Sequence, residues 1–326
     1  MQSELNRSAV KGHATKSEHP LSGIVFLDKP YGWSSRQAVN ELIRLFSRPG
    51  CKRIKAGHAG TLDPLATGML PILLGEATRY AELGLTADKS YRVTFDLSYQ
   101  SDTLDCEGAI TGRFTEAVSC EQLETALAAY HGLIQQVPPA YSAIRIDGKR
   151  AHALARQGEE VLIPARPVTI HRIKLLNFDT PLVTLEVECS KGTYIRSLAR
   201  DIGESLGVGG CVTALRRLST GGWPEAMMVT QDQLQAQPDG SVLPLAQWLR
   251  DMPSLPLSTA LAIRFLQGQR IQLDQGADYP QVTADQLLVS VYSEHILLGT
   301  GMLKAGHHRA VLHPARILPS AQRSFI

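Results

Sequence analysis

The chain has 326 residues with 44% hydrophobic and 20% charged, enough for one large domain with a full core plus a smaller one, and its formal net charge is only +2. No run approaches the roughly 18 uncharged apolar residues of a membrane span, and Met1 to Pro20 is polar and lacks the apolar core of a signal peptide, so a cytosolic location away from membranes is expected. The five cysteines are odd in number and contain no C-x-x-C pair, which argues against a disulfide framework and against a zinc site and leaves reduced thiols as the expectation.

In chain order, residues 1–20 read as a disordered tail, and Ile24 to Leu27 as a short buried strand ended by Lys29-Pro30. Ser34 and Gln37 form a capping-box pattern, after which Val39, Leu42, Ile43 and Phe46 share one helical face until Pro49-Gly50 stops it. Tyr91, Val93, Phe95 and Leu97 alternate with polar residues, the mark of a half-buried strand. Ser119 with Gln122 starts a second helix that turns Leu123, Ala126, Leu127 and Tyr130 inward. Val183, Leu185, Val187 and Cys189 alternate again, and Ser190-Lys191-Gly192 leads into a helix with Ile195, Leu198, Ala199 and Ile202 on one face. From Leu234 to Pro256 the composition turns to Gln, Pro, Asp and Ser, which places a domain boundary there. Beyond it, 262–268 reads as one short helix, and 287–292, 296–303 and 309–312 as strands joined by tight turns. Strands and helices interspersed without a βαβ beat give an α+β class.

Charge is unevenly distributed. Between Leu42 and Leu62 there is no acid, yet Arg44, Arg48, Lys52, Arg53 and Lys55 fall there. A second basic stretch holds Arg145, Lys149, Arg150, His152 and Arg156, with Asp147 as its only acid. Such runs are commonly solvated faces, and they are also what phosphate contacts require.

The segment Gly57-His58-Ala59-Gly60-Thr61-Leu62-Asp63-Pro64-Leu65-Ala66-Thr67-Gly68 stands out. Its glycines permit close backbone approach, and Pro64 pushes Asp63 away from helical geometry, so the carboxylate is held at a fixed angle. From the residues alone two readings stand: a functional carboxylate, or a turn in which Asp63 caps a helix carrying Leu65, Met69, Leu70 and Leu73. A phosphate-loop enzyme fails because no Gly-Lys-Ser/Thr follows the glycines, and a metal hydrolase fails because His58 and Asp63 lack a companion ligand at suitable spacing. Arg196 falls in the first turn of the helix after Gly192, where the helix dipole disfavours a cation unless an anion lies near.

The Gly57–Gly68 segment resembles the signature of the TruB family of RNA pseudouridine synthases. The resemblance extends through Gly23-Ile24-Val25-Phe26-Leu27-Asp28-Lys29-Pro30, Lys89-Ser90-Tyr91-Arg92-Val93, Pro138-Pro139-Ala140-Tyr141-Ser142-Ala143, Ser190-Lys191-Gly192-Thr193-Tyr194-Ile195-Arg196 and Leu215-Arg216-Arg217, in the family's order across 22–224. It implies a pseudouridine synthase catalytic domain with a mixed, mainly antiparallel sheet over 21–248. An RNA-clamping insertion is implied at about 139–166, and a small PUA-like β-barrel RNA-binding domain over 249–326.

The resemblance also implies roles. Asp63 becomes the catalytic carboxylate and Arg196 its ionic partner. Tyr91, which the alternation alone reads equally well as a core residue, becomes the ring that stacks on the target uracil and a candidate to manage its C5 proton. Tyr194 and Leu215 wall the pocket, and His58, otherwise a loop histidine, enters the RNA loop to hold extruded nucleotides. Both basic runs lie beside blocks that match the family's RNA-facing parts, which implies phosphate contacts for Arg44, Arg48, Lys52, Arg53 and Lys55 and for Arg145, Lys149 and Arg150, and also for Arg79, which stands where relatives usually carry lysine. Ala59 departs from the larger or polar residue many relatives have there. The activity implied is isomerisation of uridine 55 in the T loop of tRNA, without cofactor or metal. The partner implied is the tRNA T-arm, with no protein partner and a monomeric chain. A reading of another class is an RNA-binding or tRNA-folding protein that keeps the T-arm platform without catalysis.

Overall fold

The computed structural model describes residues 21–142, 144–146, 149–151, 157, 162–273, 280–282, 285–305 and 309–325; the expected N-terminal tail lies outside them. The first strand, β1 (Gly23–Lys29), leads to α1 (Ser35–Phe46), where Ser34 and Gln37 close the expected capping box. β2 (Ala56–His58) and β3 (Thr67–Leu74) bracket the Asp63 segment, a 3-10 turn (Gly75–Tyr80) runs into α2 (Ala81–Thr86), and β4 (Lys89–Asp96) follows. Next come β5 (Tyr99–Ser101), β6 (Ile110–Arg113), α3 (Cys120–Ala128), β7 (Gly132–Gln136) and the short strands β8 (Arg145–Ile146) and β9 (Lys149–Arg150). The long hairpin β10 (Arg166–Asp179) and β11 (Leu182–Cys189), α4 (Ile195–Ser205) and β12 (Cys211–Thr220) complete the main sheet.

That sheet is eight-stranded, in the order β1-β3-β12-β4-β11-β10-β7 with β2 also on β3, and only the β3–β12 pair is parallel. The mixed, mainly antiparallel sheet of an α+β protein is therefore present. The topology matters for the site: β12 inserts between β3 and β4, so Thr67 and Gly68 lie opposite Arg216 and Arg217, and Tyr91 lies opposite Arg217. Asp63 precedes β3, Tyr91 is in β4 and Arg217 in β12, so three distant stretches of sequence converge at one end of adjacent strands.

The helix considered for Leu65, Met69, Leu70 and Leu73 does not form; Met69, Leu70 and Leu73 lie in β3 instead, and Leu65 in the turn before it. Leu70, Ile72 and Leu74 pack on one face of the sheet, together with Val25 and Leu27, while Met69 and Leu73 pack on the other with Ile24 and Phe26. A strand covered on both faces reads as an unbroken apolar run, which periodicity cannot separate from a buried helix.

Residues 231–256 hold α5 (Gln231–Ala236), α6 (Leu245–Trp248) and β13 (Ser254–Pro256). Despite its polar composition this stretch lies against the main sheet. Val229 and Leu243 bridge to Leu27 and Ile24 of β1, and Trp248 stacks with Trp223 and lies 5.9 Å from the Phe26 ring. The remaining elements are α7 (Thr259–Leu266), β14 (Ile271–Leu273), β15 (Gln286–Ser293), β16 (Ile296–Lys304), β17 (Ala310–Ile317) and α8 (Pro319–Phe325). They form a curled five-stranded sheet, β13-β15-β16-β17-β14. Its core residues Phe265, Val289, Val291 and Leu312 belong to the same apolar cluster as Phe26, Tyr80 and Trp248. Burial of that shared apolar surface opposes hinge motion between the two sheets, since opening would return it to water.

Candidate active site

The loop between β2 and β3 is fastened along its length. The buried Ser35 hydroxyl bonds both the N–H and the C=O of Leu62, at 2.8 and 2.9 Å, and Gly32 N–H donates to the Pro64 carbonyl at 2.9 Å. Gly60 has φ +143° and Gly68 φ +94°, and at Gly68 a Cβ would collide with the Arg217 carbonyl, so glycine is required there. Pro64 follows Asp63, and the Asp63 C=O accepts from Ala66 N–H at 3.1 Å. The aspartate is thus presented from a rigid turn.

Its carboxylate meets Arg196 Nη2 at 2.9 Å. The Arg196 side chain is only 5% exposed while that of Asp63 is 36% exposed, so the guanidinium forms the floor and the carboxylate opens toward solvent. Arg196 is held from below by Asp105 at 3.2 Å, by the Thr103 carbonyl at 2.7 Å and by the Tyr141 carbonyl at 3.0 Å. Asp105 in turn accepts from the Thr103 hydroxyl at 2.6 Å and the Glu107 N–H at 3.2 Å. These anions answer the problem posed by a cation in the first turn of α4. Removing Arg196 would leave the buried Asp105 carboxylate uncompensated, at a cost of about 3–5 kcal/mol.

Three further cations around the loop are bound to carbonyls. Arg217, 1% exposed, donates to the carbonyls of Met69, Gly60 and Thr61 at 2.6, 3.2 and 3.4 Å. Lys89 Nζ donates to the carbonyls of Gly84, Leu85 and Ala87, which close the C-terminal end of α2. On β1 Lys29 Nζ donates to the carbonyls of Pro30, Trp33 and Pro64, at 2.9, 2.6 and 3.3 Å. Burial lowers the pKa of both lysines to about 8, with the Arg217 charge adding to the effect.

Asp63, Tyr91, Tyr194, Leu215 and Arg196 together line one cavity of about 280 Å³, with Lys89 and Arg217 in its wall. The expected catalytic set and the two expected pocket walls are therefore brought together. Tyr91 is 8% exposed, and burial raises its phenol pKa, against a smaller lowering by Arg217. It stays a neutral phenol near pH 7, suited to stacking and hydrogen bonding and opposed to acting as a phenolate base. The Tyr194 backbone is clamped by the buried Gln136 side chain at 2.8 and 3.1 Å, and the Arg166 guanidinium lies 5.1 Å from its ring.

The remaining expected residues lie elsewhere. His58 is half-buried in β2, and its Nδ1 is buried without a hydrogen-bond partner; burial first, then Arg217 and Arg36, lower its pKa and favour the neutral ring. Arg79 does not reach the pocket: its guanidinium is turned to the surface and donates to the Ile317 carbonyl of β17 at 2.8 Å. Arg145 and Arg150 pair across the β8–β9 ladder, as do Ile146 and Lys149, while the side chains of Lys149 and Arg150 and most of 152–161 lie outside the described residues.

Sequence reasoning missed Asp105, and it named Lys29, Lys89 and Arg217 without assigning them a role. For the lysines a signal existed. Lys29 continues the inward alternation of Val25 and Leu27, and Lys89 that of Tyr91, Val93 and Phe95, so each places a charge on a buried face. Nothing in the sequence separates Asp105 from Asp102.

The fold is that of the pseudouridine synthases. The chain in the crystal structure of a Cbf5–Nop10–Gar1 complex superposes with a TM-score of 0.70 at 23% identity, covering 93% of this chain and 86% of that one. A chain of an H/ACA ribonucleoprotein bound to a substrate RNA containing 2′-deoxyuridine gives 0.68 at 22% identity, covering 91% and 84%. At closer range, residues 48–195 match the TruB family pseudouridylate synthase N-terminal domain and 196–260 the tRNA pseudouridylate synthase B C-terminal domain. The chain is 41% identical to tRNA pseudouridine synthase B of Cupriavidus pinatubonensis, over 91% of this chain and 94% of that one. It is 42% identical to that of Burkholderia mallei, over 91% and 97%. The chain belongs to the TruB family. Among the described residues no helix is long and apolar enough to cross a membrane.

Proposed function

We propose that the protein is a tRNA pseudouridine synthase that isomerises uridine 55 of the T loop. The N1–C1′ glycosidic bond breaks, the base turns, and C5 rejoins C1′, so no redox change occurs and no group is added. The observation that carries this reading is the Asp63 carboxylate standing in a cavity wall on a buried Arg196, with Tyr91, Tyr194 and Leu215 around the same space.

In that arrangement Asp63 supplies the anion for the glycosidic step, and Arg196 and Asp105 fix its direction so that little reorganisation accompanies reaction. Tyr91 offers a flat neutral face to the uracil, and Leu215 and Tyr194 exclude water while the base is detached. His58, in neutral form, would enter the RNA loop, and the 139–166 insertion would close on it with Arg145, Lys149 and Arg150 against phosphates. The substrate is the T-arm of tRNA, bound by a monomeric chain in the cytoplasm without metal or cofactor. The catalytic unit spans 21–248, and the PUA-like unit 249–326 serves as an RNA-binding module. The test is to incubate the protein with an unmodified T-arm stem-loop and assay pseudouridine. A stem-loop that binds without conversion would favour the non-catalytic platform.

A further inference from the structure

We propose that Leu85, at the mouth of the Asp63 cavity, is a lip that retains the uracil while it is detached from the ribose; this rests on the reading of the pocket as a pseudouridine-forming site. The other large apolar side chains of the cavity are withdrawn from solvent: Leu62 and Ile195 are 4% exposed, Leu215 7% and Tyr91 8%. Leu85 lines the same cavity and is 49% exposed. The depth of the pocket is thus finished by the protein itself, and an uncovered leucine is left at its rim.

A lone exposed leucine on an open surface is ordinary. Leu85 differs because its position is fixed from two sides. Lys89 Nζ, itself in the cavity wall, donates to the carbonyls of Gly84, Leu85 and Ala87 at 2.8, 3.2 and 2.5 Å, which ties down the end of α2. Gly84 is packed so closely that a Cβ there would stand 2.6 Å from the Ala59 Cβ and 3.1 Å from the Trp248 ring, and Ala59 belongs to the segment that carries Asp63. Leu83 packs into the apolar cluster that holds Phe26 and Trp248. The end of α2 is therefore part of the rigid frame of the site, and Leu85 is held in register with the Asp63 turn.

In the free protein an apolar side chain held uncovered beside a cavity gains nothing; the gain comes when an occupant covers it. A base seated against Tyr91 would cover Leu85, and the mouth would then close with apolar surface. The closure matters at one step. Between cleavage of N1–C1′ and formation of C5–C1′ no covalent bond holds the base. Water entering then would give its hydroxyl to C1′ and its proton to N1, so that free uracil leaves and an abasic ribose stays behind, hydrolysis in place of isomerisation. Leu215 and Tyr91 guard the depth of the cavity; Leu85 stands on the side from which water arrives.

The experiment uses an unmodified T-arm stem-loop labelled in the uracil ring of the target nucleotide, at RNA concentrations that saturate each protein. Pseudouridine and free uracil are both measured in single turnover for the full chain, for Leu85→Ala and for Leu85→Met, with a thermal melt of each. Leu85→Ala should melt near the wild type, form pseudouridine about tenfold more slowly and release more free uracil per pseudouridine formed. Leu85→Met, which keeps an apolar lip of similar length, should restore the rate to within about threefold and return uracil release to the wild-type level. Wild-type uracil release from Leu85→Ala would overturn the proposal whether or not its rate falls, because Leu85 would then act only before the bond breaks. In that case the wild type still converts the RNA and the enzymatic reading stands. Should the wild type bind the stem-loop and form no pseudouridine, the enzymatic reading fails and the lip falls with it.

Discussion

The pocket around Asp63 and the basic groove beside α8, lined by Lys52, Arg53, Lys55, Arg79 and Arg323, both concentrate charge, and they do so under different rules. In and behind the pocket the cations are matched inside the protein: Arg196 by two carboxylates, and Lys89, Arg217 and, behind the loop, Lys29 by carbonyls. In the groove the cations are exposed, and the lining carboxylate, Glu76, accepts from Ser320 of the C-terminal helix. Buried matched charges fix geometry, because moving any of them exposes an unpaired ion to low dielectric. Exposed charges in high dielectric contribute to affinity and its salt dependence while leaving the fold nearly indifferent to their removal. Under the proposed function, the first region is built for chemistry and the second for surface contact.

Asp63→Asn, which keeps shape and removes the anion, strikes hardest at this division. Turnover of a T-arm stem-loop should fall beyond detection in a single-turnover assay, while RNA binding stays within a few-fold. A rate within about tenfold of wild type, or about 1.4 kcal/mol, would remove Asp63 from the chemistry. Next in size is Arg196→Met. Stranding Asp63 and Asp105 should cost about 3–5 kcal/mol in urea unfolding, and neutralising both in Asp63→Asn/Asp105→Asn/Arg196→Met should recover part of that loss. Purely additive losses would mean that the three do not act as one unit.

The carbonyl-bound lysines give a pH signature. Lys29 and Lys89 titrate near 8 when folded and near 10.4 when unfolded, so between those values the unfolded chain holds more protons. Their penalty is full below pH 8 and relieved as the pH rises toward 10.4, which makes their contribution to stability climb across that window. Compared with Lys29→Met, the wild type should therefore gain on the order of 1 kcal/mol between pH 8 and 10, after discounting for solvent screening. A gap between the two that stays constant with pH would refute the depressed lysine.

How far these features could be read from sequence follows the same division. The Asp63 turn was legible because Gly60, Gly68 and Pro64 leave the backbone few choices, and the first-turn position of Arg196 demanded an anion. Which anions answered it depended on the approach of Asp105 through long-range packing, for which local sequence holds no sign. β3 was open to misreading because both of its faces are covered, and the polar composition of 234–256, read as a domain boundary, does not reveal that Leu243 bridges to Ile24 of β1 and Trp248 packs beside Phe26. The groove was half visible, as the basic run ending at Lys55; its other wall is Arg323, brought in by Glu76 from far along the chain.

Smaller effects are expected at the rim. Neutralising Arg145, Lys149 and Arg150 should lower the salt slope of RNA binding by roughly one for each phosphate no longer gripped, with single-turnover conversion at saturating RNA nearly unchanged. An unaltered slope would make them a solvated hairpin. Excess EDTA should change nothing once RNA folding is controlled for; a divalent-ion requirement on a pre-folded stem-loop would contradict an isomerisation run by side chains alone.

Whether this pocket converts one T-loop uridine is decided by incubating an unmodified tRNA transcript with the full-length protein and mapping pseudouridine at every position. A single new pseudouridine is expected at position 55, absent with Asp63→Asn. Conversion at another position, or at 55 with Asp63→Asn as well, would contradict the assignment of Asp63 and its pocket to this reaction.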